Sequence, residues 1–268
     1  MPEEAIIGAL LFLLLLLSSA LGLFLQGKLH ERHRSRETID AIRLVISILV
    51  TFTALLLGLL TSSAKIAFDD YGNRLRAYGI DIIELDQRMR EYGDGIEATR
   101  ALLRTYVAAA IADTWPDEPR PTGAYPTHIK TFVPGSIEGE ELSAMLGQVD
   151  RALRGLEPTD RSHQQLADLL KARMGQTLEQ RWRLIETSTS TVSWPLLTLM
   201  TSWLVMIFAV FGLSSPRNRV VYVTIALCAL SISSAVFMIL ELDTPLTGWL
   251  VASSQPLRDA LLHIDAPL

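Results

Sequence analysis

Ser47, Thr51, Ala54, Gly58, Thr61 and Lys65 follow one another at spacings of three and four. On a helix that turns about 100° per residue, they gather in a sector of about 80°. All but the last are small or weakly polar, in a run whose other members are large and apolar. Two uses fit such a face. Small side chains let helix backbones approach closely inside a membrane. Weakly polar ones also suit the wall of a water-filled path, with Lys65 as a fixed positive charge at one end. Close packing is the commoner use, and pore lining is the sharper one. Thr224, Cys228, Ser231 and Ala235 repeat the pattern in a later run, where packing is the expected use. Glu241 and Asp243 form a candidate cation-binding pair, two acids that backbone carbonyls could supplement. The plainer alternative has Asp243 capping a turn at Pro245 while Glu241 marks the end of an apolar segment.

The other chemistry-bearing residues are sparse. His30 and His33 would share one helical face, but their basic neighbours repel a metal, so contact with lipid headgroups is expected there. His128, His163 and His263 stand alone. The chain has no phosphate-binding glycine loop, no H-E-x-x-H and no serine elbow, so the expectation is a protein that is not an enzyme and carries no cofactor or metal. Cys228 is the only cysteine, which rules out an intrachain disulfide and multi-cysteine metal sites. A net charge of −5 argues against a nucleic-acid partner.

These residues are carried by four long apolar runs. Ala5 to Leu25 holds no charge and is long enough to cross a hydrocarbon core of about 30 Å. A cleaved signal peptide is the alternative, but such peptides start with basic residues and have a shorter apolar core. This chain starts Met1-Pro2-Glu3-Glu4, so a retained membrane helix is expected. Leu44 to Ala64, about Val192 to Leu213, and Val220 to Leu240 are the other runs, with Trp194 at an interfacial position. None has a formal charge at its centre, and only helices satisfy the backbone of such segments in lipid. The short connections hold Lys28, Arg32, Arg34, Arg36 and Arg43 in one case, Arg217 and Arg219 in the other. The basic bias puts both on the cytoplasmic side and residues 65–191 on the opposite side.

The long insertion reads as helical. Leu75, Tyr78, Ile82, Leu85, Met89 and Tyr92 make one stripe, closed by Gly93-Asp94-Gly95. Leu103, Tyr106, Val107 and Ile111 make a second. A proline-rich loop from Trp115 to Gly135 follows. A third helix places Leu142, Met145, Leu146, Val149, Leu153 and Leu156 inward. A fourth, capped by Thr159 or Asp160, is expected to bury Leu166, Leu169, Leu170, Leu178, Trp182 and Ile185. The fold class is therefore all-α: four transmembrane helices with a helical bundle domain inserted between the second and third. The divisions are 1–64, a first transmembrane hairpin; 65–191, an extramembrane helical domain; 192–240, a second hairpin; and 241–268, a C-terminal tail.

Three stretches together resemble the bestrophin-like domain family of bacterial membrane proteins. They are Leu57-Gly58-Leu59-Leu60-Thr61-Ser62-Ser63-Ala64-Lys65, Leu85-Asp86-Gln87-Arg88-Met89-Arg90-Glu91-Tyr92-Gly93, and Ile239-Leu240-Glu241-Leu242-Asp243-Thr244-Pro245-Leu246-Thr247-Gly248. That family is named for its likeness to bestrophins, pentameric anion channels with a helical domain between their second and third membrane helices. The resemblance implies a homo-oligomer, a pentamer, in a bacterial inner membrane, with anions as cargo and membrane lipids as surroundings. It also implies a cytoplasmic inserted domain, opposite to the charge bias. No run of clustered acids resembles the bestrophin calcium clasp. A non-conducting scaffold or sensor, whose inserted domain binds a partner or ligand, is the alternative function.

Overall fold

The computed structural model describes residues 3–28, 36–93, 95–126, 139–158, 160–187, 193–216 and 218–266. His30, His33, His128 and Thr159 lie outside them. The described residues contain eight helices, in the order α1 (Glu3–Lys28), α2 (Arg36–Tyr92), α3 (Glu97–Thr114), α4 (Glu140–Arg154), α5 (Arg161–Thr187), α6 (Trp194–Ser214), α7 (Arg219–Asp243) and α8 (Gln255–Asp265). Helices α1, α2, α6 and α7 contain the four apolar runs and are long and apolar enough to span a membrane. The fold is the expected one: four membrane helices with a helical bundle inserted between the second and third. The chain divides into two compact units, residues 1–67 with 191–243, and residues 68–190 with 244–268.

In the membrane unit, α1 packs against both α6 and α7. Its buried residues are Gly8, Leu11, Leu15, Ser18, Ser19 and Gly22, a small-residue stripe that brings backbones close. A Cβ added to Gly22 would lie 1.9 Å from the Ala209 carbonyl oxygen. One added to Gly212 would lie 2.0 Å from that of Ser19. Ser18 Oγ donates to the Val205 carbonyl at 2.6 Å, which ties α1 to α6. Gly8 sits beside Phe237 of α7. Glu3 and Glu4 in the first turn of α1 and Lys28 in its last suit the helix dipole. Helix α7 continues past the apolar run to Asp243, because loss of hydropathy does not interrupt backbone hydrogen bonding.

The inserted unit is a water-type bundle with a continuous apolar core. Leu75, Tyr78, Ile82, Leu85, Met89 and Tyr92 of α2, and Leu103, Tyr106, Val107 and Ile111 of α3, are all buried. Gly93 ends α2 at φ +84, a left-handed conformation that favours glycine. Asp160 caps α5, accepting from the His163 backbone N–H at 2.8 Å. Together with further bonds from the His163 and Ser162 side chains, that bond holds the Asp160 carboxyl down at about 2.

Two expectations fail in α5. Leu169 and Trp182 are exposed, Trp182 at 59%. The buried face is Ala167, Leu170, Met174, Thr177, Arg181, Leu184 and Ile185. That stripe keeps the spacings of three and four but includes an arginine, which hydropathy assigns to the surface. Arg181 is 2% exposed and donates to Ser143 Oγ of α4 at 3.0 Å. Nearby, the Tyr78 and Tyr106 hydroxyls share a buried hydrogen bond of 2.6 Å. Burial pushes the Tyr106 hydroxyl up, and the Arg181 charge offsets part of that rise.

Residues 255–265 form α8, which packs on α3 and buries Leu257, Ala260, Leu261 and Ile264. Both its ends are held. At the start, Ser254 and Arg258 hydrogen-bond Glu118, and Trp115 Nε1 donates to the Ala252 carbonyl at 2.6 Å. At the far end, the fully buried Asp86 accepts from Arg90 at 2.8 Å and Arg100 at 2.7 Å. Those guanidiniums donate to the carbonyls of His263, Ile264 and Ala266. Cations at a helix C-terminus satisfy its last carbonyls and its dipole together.

Candidate functional site

Helix α2 has three different faces within the membrane unit. Thr53, Leu60 and Ala64 are buried and mark the side that packs. Leu44, Ile48, Phe52, Leu55, Leu59 and Ile66 are bulky, apolar and exposed, as lipid-facing residues are. The third face is the small one. Ser47, Thr51, Ala54, Gly58, Thr61 and Lys65 are all exposed, about 120° around the helix from the buried side. Packing inside a single subunit therefore does not account for the stripe. A Cβ at Gly58 would meet nothing within 4 Å.

The hydroxyls on this face are turned onto their own helix. Ser47 Oγ donates to the Arg43 carbonyl at 2.8 Å, Thr51 to that of Ser47 at 2.9 Å, and Thr61 to that of Leu57 at 2.8 Å. Each hydroxyl then keeps lone pairs outward while its proton is satisfied, so the face is weakly polar without carrying orphaned donors in lipid. Helix α7 repeats the arrangement. Ile225, Ala229, Ser233 and Val236 are its buried side, whereas Thr224, Cys228 and Ser231 are exposed and Ala235 is half-buried. That second stripe, expected to pack, also lies off the subunit's own packing face.

Glu241 and Asp243 are both buried, in the last turn of α7. Residues two positions apart on a helix leave its axis about 160° apart, so this spacing turns the two side chains toward opposite sides. No group of three or more metal-ligating side chains occurs among the described residues.

The inserted unit has an open groove of about 870 Å³, lined by Phe68, Gly72, Arg76, Ile80, Pro256 and Asp259 among others. Gly79 lets α8 approach α2 closely beside it: a Cβ there would lie 2.7 Å from the Pro256 carbonyl oxygen. Its far wall belongs to the α8 segment, which the sequence reading set apart as a tail. The signal for that helix was present in Ser254, Pro256, Leu257, Leu261 and Ile264, a helix start followed by a short apolar stripe.

The sequence profile of the Bestrophin-like domain matches residues 13–257. Among solved structures, a bacterial bestrophin homologue from Klebsiella pneumoniae is similar at 14% identity and a TM-score of 0.61, covering 96% of each chain. A tryptophan-to-alanine variant of a bacterial bestrophin homologue from the same organism gives 13% identity and a TM-score of 0.63, over 96% of this chain and 95% of that one. A membrane protein carrying a glycine-to-alanine substitution gives 15% and 0.62, over 96% of each. No curated protein matches.

Proposed function

The chain belongs to the bestrophin-like domain family, and from that membership we propose that it is a homo-oligomeric anion channel of a bacterial inner membrane. One observation carries the reading. The small, weakly polar face of α2 is exposed in the subunit and distinct from both the packing face and the bulky apolar face. Such a face has no partner within the chain's own core, and copies arranged about an axis give it a wet, shared interior. By family resemblance the number of copies is five. Lys65 then forms a ring of positive charge at one mouth, which attracts anions and repels cations. Small residues deeper in the path leave room for a partly hydrated ion.

Planar-bilayer recording of the purified protein in asymmetric chloride tests this. The wild type is expected to reverse near the chloride potential, and Lys65→Glu to shift reversal strongly toward the cation side. A wild type that passes no current defeats the proposal.

On charge bias the two short connections face the cytoplasm and residues 65–191 face away; the bestrophin resemblance implies the reverse. Glu157 is exposed, so Glu157→Cys in a Cys228→Ala background reports the side. Labelling of intact cells by an impermeant thiol reagent upholds the charge reading, and labelling only after permeabilisation reverses it. The second function, a non-conducting scaffold or sensor, draws support from the 870 Å³ groove of the inserted unit.

A further inference from the structure

Two apolar features of the inserted unit are left in water, and they lie at one height along α2. The first is the groove between α2 and α8. Its lining includes Ile80, Ile83, Val251 and Pro256, with Arg76 on the α2 wall and Asp259 on the α8 wall; Ile80 and Val251 are exposed. The second is Trp182 of α5, 59% exposed, on a helix that turns Leu170, Met174 and Leu184 inward.

Within one copy these features are on different sides of the bundle. Helix α5 reaches α2 through Arg173, which pairs with Asp81 and Glu84. Those two positions lie about 130° around α2 from the centre of the groove wall, so the chain does not fill its own groove with its own indole. Their heights nevertheless agree. Eight residues after Arg173, or about 12 Å of helix, Arg181 interacts with Tyr106 and sits beside Tyr78. The two helices are therefore antiparallel, and Trp182 lies about level with residues 74–78 of α2, within the length of the groove. Leu169, the other exposed large apolar residue of α5, lies about level with residues 85–88, past the groove's last α2 residue, Ile83.

We propose that Trp182 of one copy docks in the α2–α8 groove of the next, joining the inserted bundles head to tail. Copies set in one bilayer are related by rotation about its normal. Rotation preserves height, so a groove meets only what lies level with it on its neighbour, and two unlike patches on different sides close a ring. A buried indole is a typical anchor of such a contact. Charge fits as well. Glu179 and Arg183 flank Trp182, are exposed, and pair with each other. Docking offers Glu179 to Arg76 and Arg183 to Asp259, one acid and one base on each side, which fixes the direction of the contact more than its strength. The proposal rests on the homo-oligomer reading above and not on conduction.

Crosslinking of the full-length protein in detergent tests it, in a Cys228→Ala background with Trp182 kept. Arg183→Cys combined with Asp259→Cys should give a ladder of linked chains with a short bismaleimide, and neither cysteine alone should. Trp182→Ala should raise the concentration at which the assembly dissociates about tenfold, read by mass photometry. Gly72→Trp should do the same by filling the groove, since a Cβ there meets nothing within 4 Å. Arg183→Glu should weaken assembly several-fold and Asp259→Arg in the same chain restore it, a rescue that lost folding would not show. No ladder, or assembly unchanged in both Trp182→Ala and Gly72→Trp, overturns the contact, and current through that protein leaves the channel reading standing. A small molecule held by the assembled wild type and lost in Gly72→Trp with assembly intact gives the groove another occupant and overturns it too. A ladder from a protein that passes no current upholds the contact and defeats the channel.

Discussion

The membrane unit and the inserted bundle are both helical, yet leucine plays opposite parts in them. In the bundle, Leu75, Leu85, Leu103, Leu142 and Leu170 are fully or almost fully buried. Each adds about 2 kcal/mol by leaving water. In the membrane unit, Leu17, Leu21, Leu44, Leu55 and Leu59 are exposed, and the buried positions of α1 include two glycines and two serines. Lipid tails are as apolar as leucine, so burying leucine there gains little. Close backbone approach and a few interhelical hydrogen bonds hold the helices instead. Polar groups follow the same division. The bundle can bury Asp86 because two arginines reach it, whereas the hydroxyls of the α2 stripe bond within their own helix.

The largest expected effect tests the bundle's half of this contrast. Asp86→Ala leaves Arg90 and Arg100, side chains 15% and 19% exposed, without their carboxylate. Removing one partner of such a group costs about 3–5 kcal/mol. Because the same arginines hold the α8 carbonyls, hydrogen exchange of residues 255–265 should rise well above that of α3. Measured on the full chain, a loss under about 1 kcal/mol with unchanged α8 exchange would show that the network is incidental.

The membrane unit should fail by shape instead of charge. Gly22→Ala puts a methyl where the Ala209 carbonyl oxygen already is, and backbone cannot swing aside as a side chain can. Overpacking of this kind costs about 1–3 kcal/mol. It should lower the melting temperature in detergent while leaving α8 exchange untouched. A tolerated Gly22→Ala would mean that α1 and α6 are held by something other than close approach.

How much of this was legible depends on what each position answers to. The membrane runs, the α2 and α3 core stripes and the α2 small face could be read because hydropathy and spacing report one solvent at a time. Trp182 and Leu169 were misread for the same reason: hydropathy alone put them inward, while the stripe that faces the core runs through Thr177 and Arg181. The buried Asp86 group was invisible because Arg100 and the α8 carbonyls reach it from other elements. Helix α8 was visible in principle, but its apolar residues span only about two turns. For the candidate site, the sequence could put six residues on one face; which way that face points required the neighbouring helices.

A smaller effect separates the units by pH. Burial alone would raise the Glu118 carboxyl, but hydrogen bonds from Ser254 and the Arg258 charge outweigh it and hold it below its ordinary value. Stability from this group is therefore fully present above the unfolded carboxylate value of about 4.3 and lost as pH falls through the lower folded value. Glu118 is partly exposed, so its contribution is expected to stay below about 1 kcal/mol. Glu118→Gln should flatten that acid-side loss in α8 exchange and leave the membrane unit unchanged. An identical acid profile in the variant would remove Glu118 from the anchoring of α8.

Gly58 should give the smallest stability effect and the sharpest comparison, since it sits in the same membrane unit as Gly22. Nothing lies within 4 Å of a Cβ built there, so no contact inside the subunit resists a side chain. Glycine in a helix interior is less favourable than alanine by about 1 kcal/mol, so Gly58→Ala should be neutral or stabilising by that amount or less. If the face lines a shared path, Gly58→Leu introduces four carbons per subunit into the lumen. It should reduce unitary conductance several-fold at an unchanged melting temperature, a separation of effects that a residue packed within its own subunit could not produce. Two other outcomes are informative. Loss of the oligomer with an intact subunit fold would place the stripe at subunit contacts instead of the lumen. Normal assembly with unchanged current would turn this face toward lipid and withdraw α2 from the conduction path.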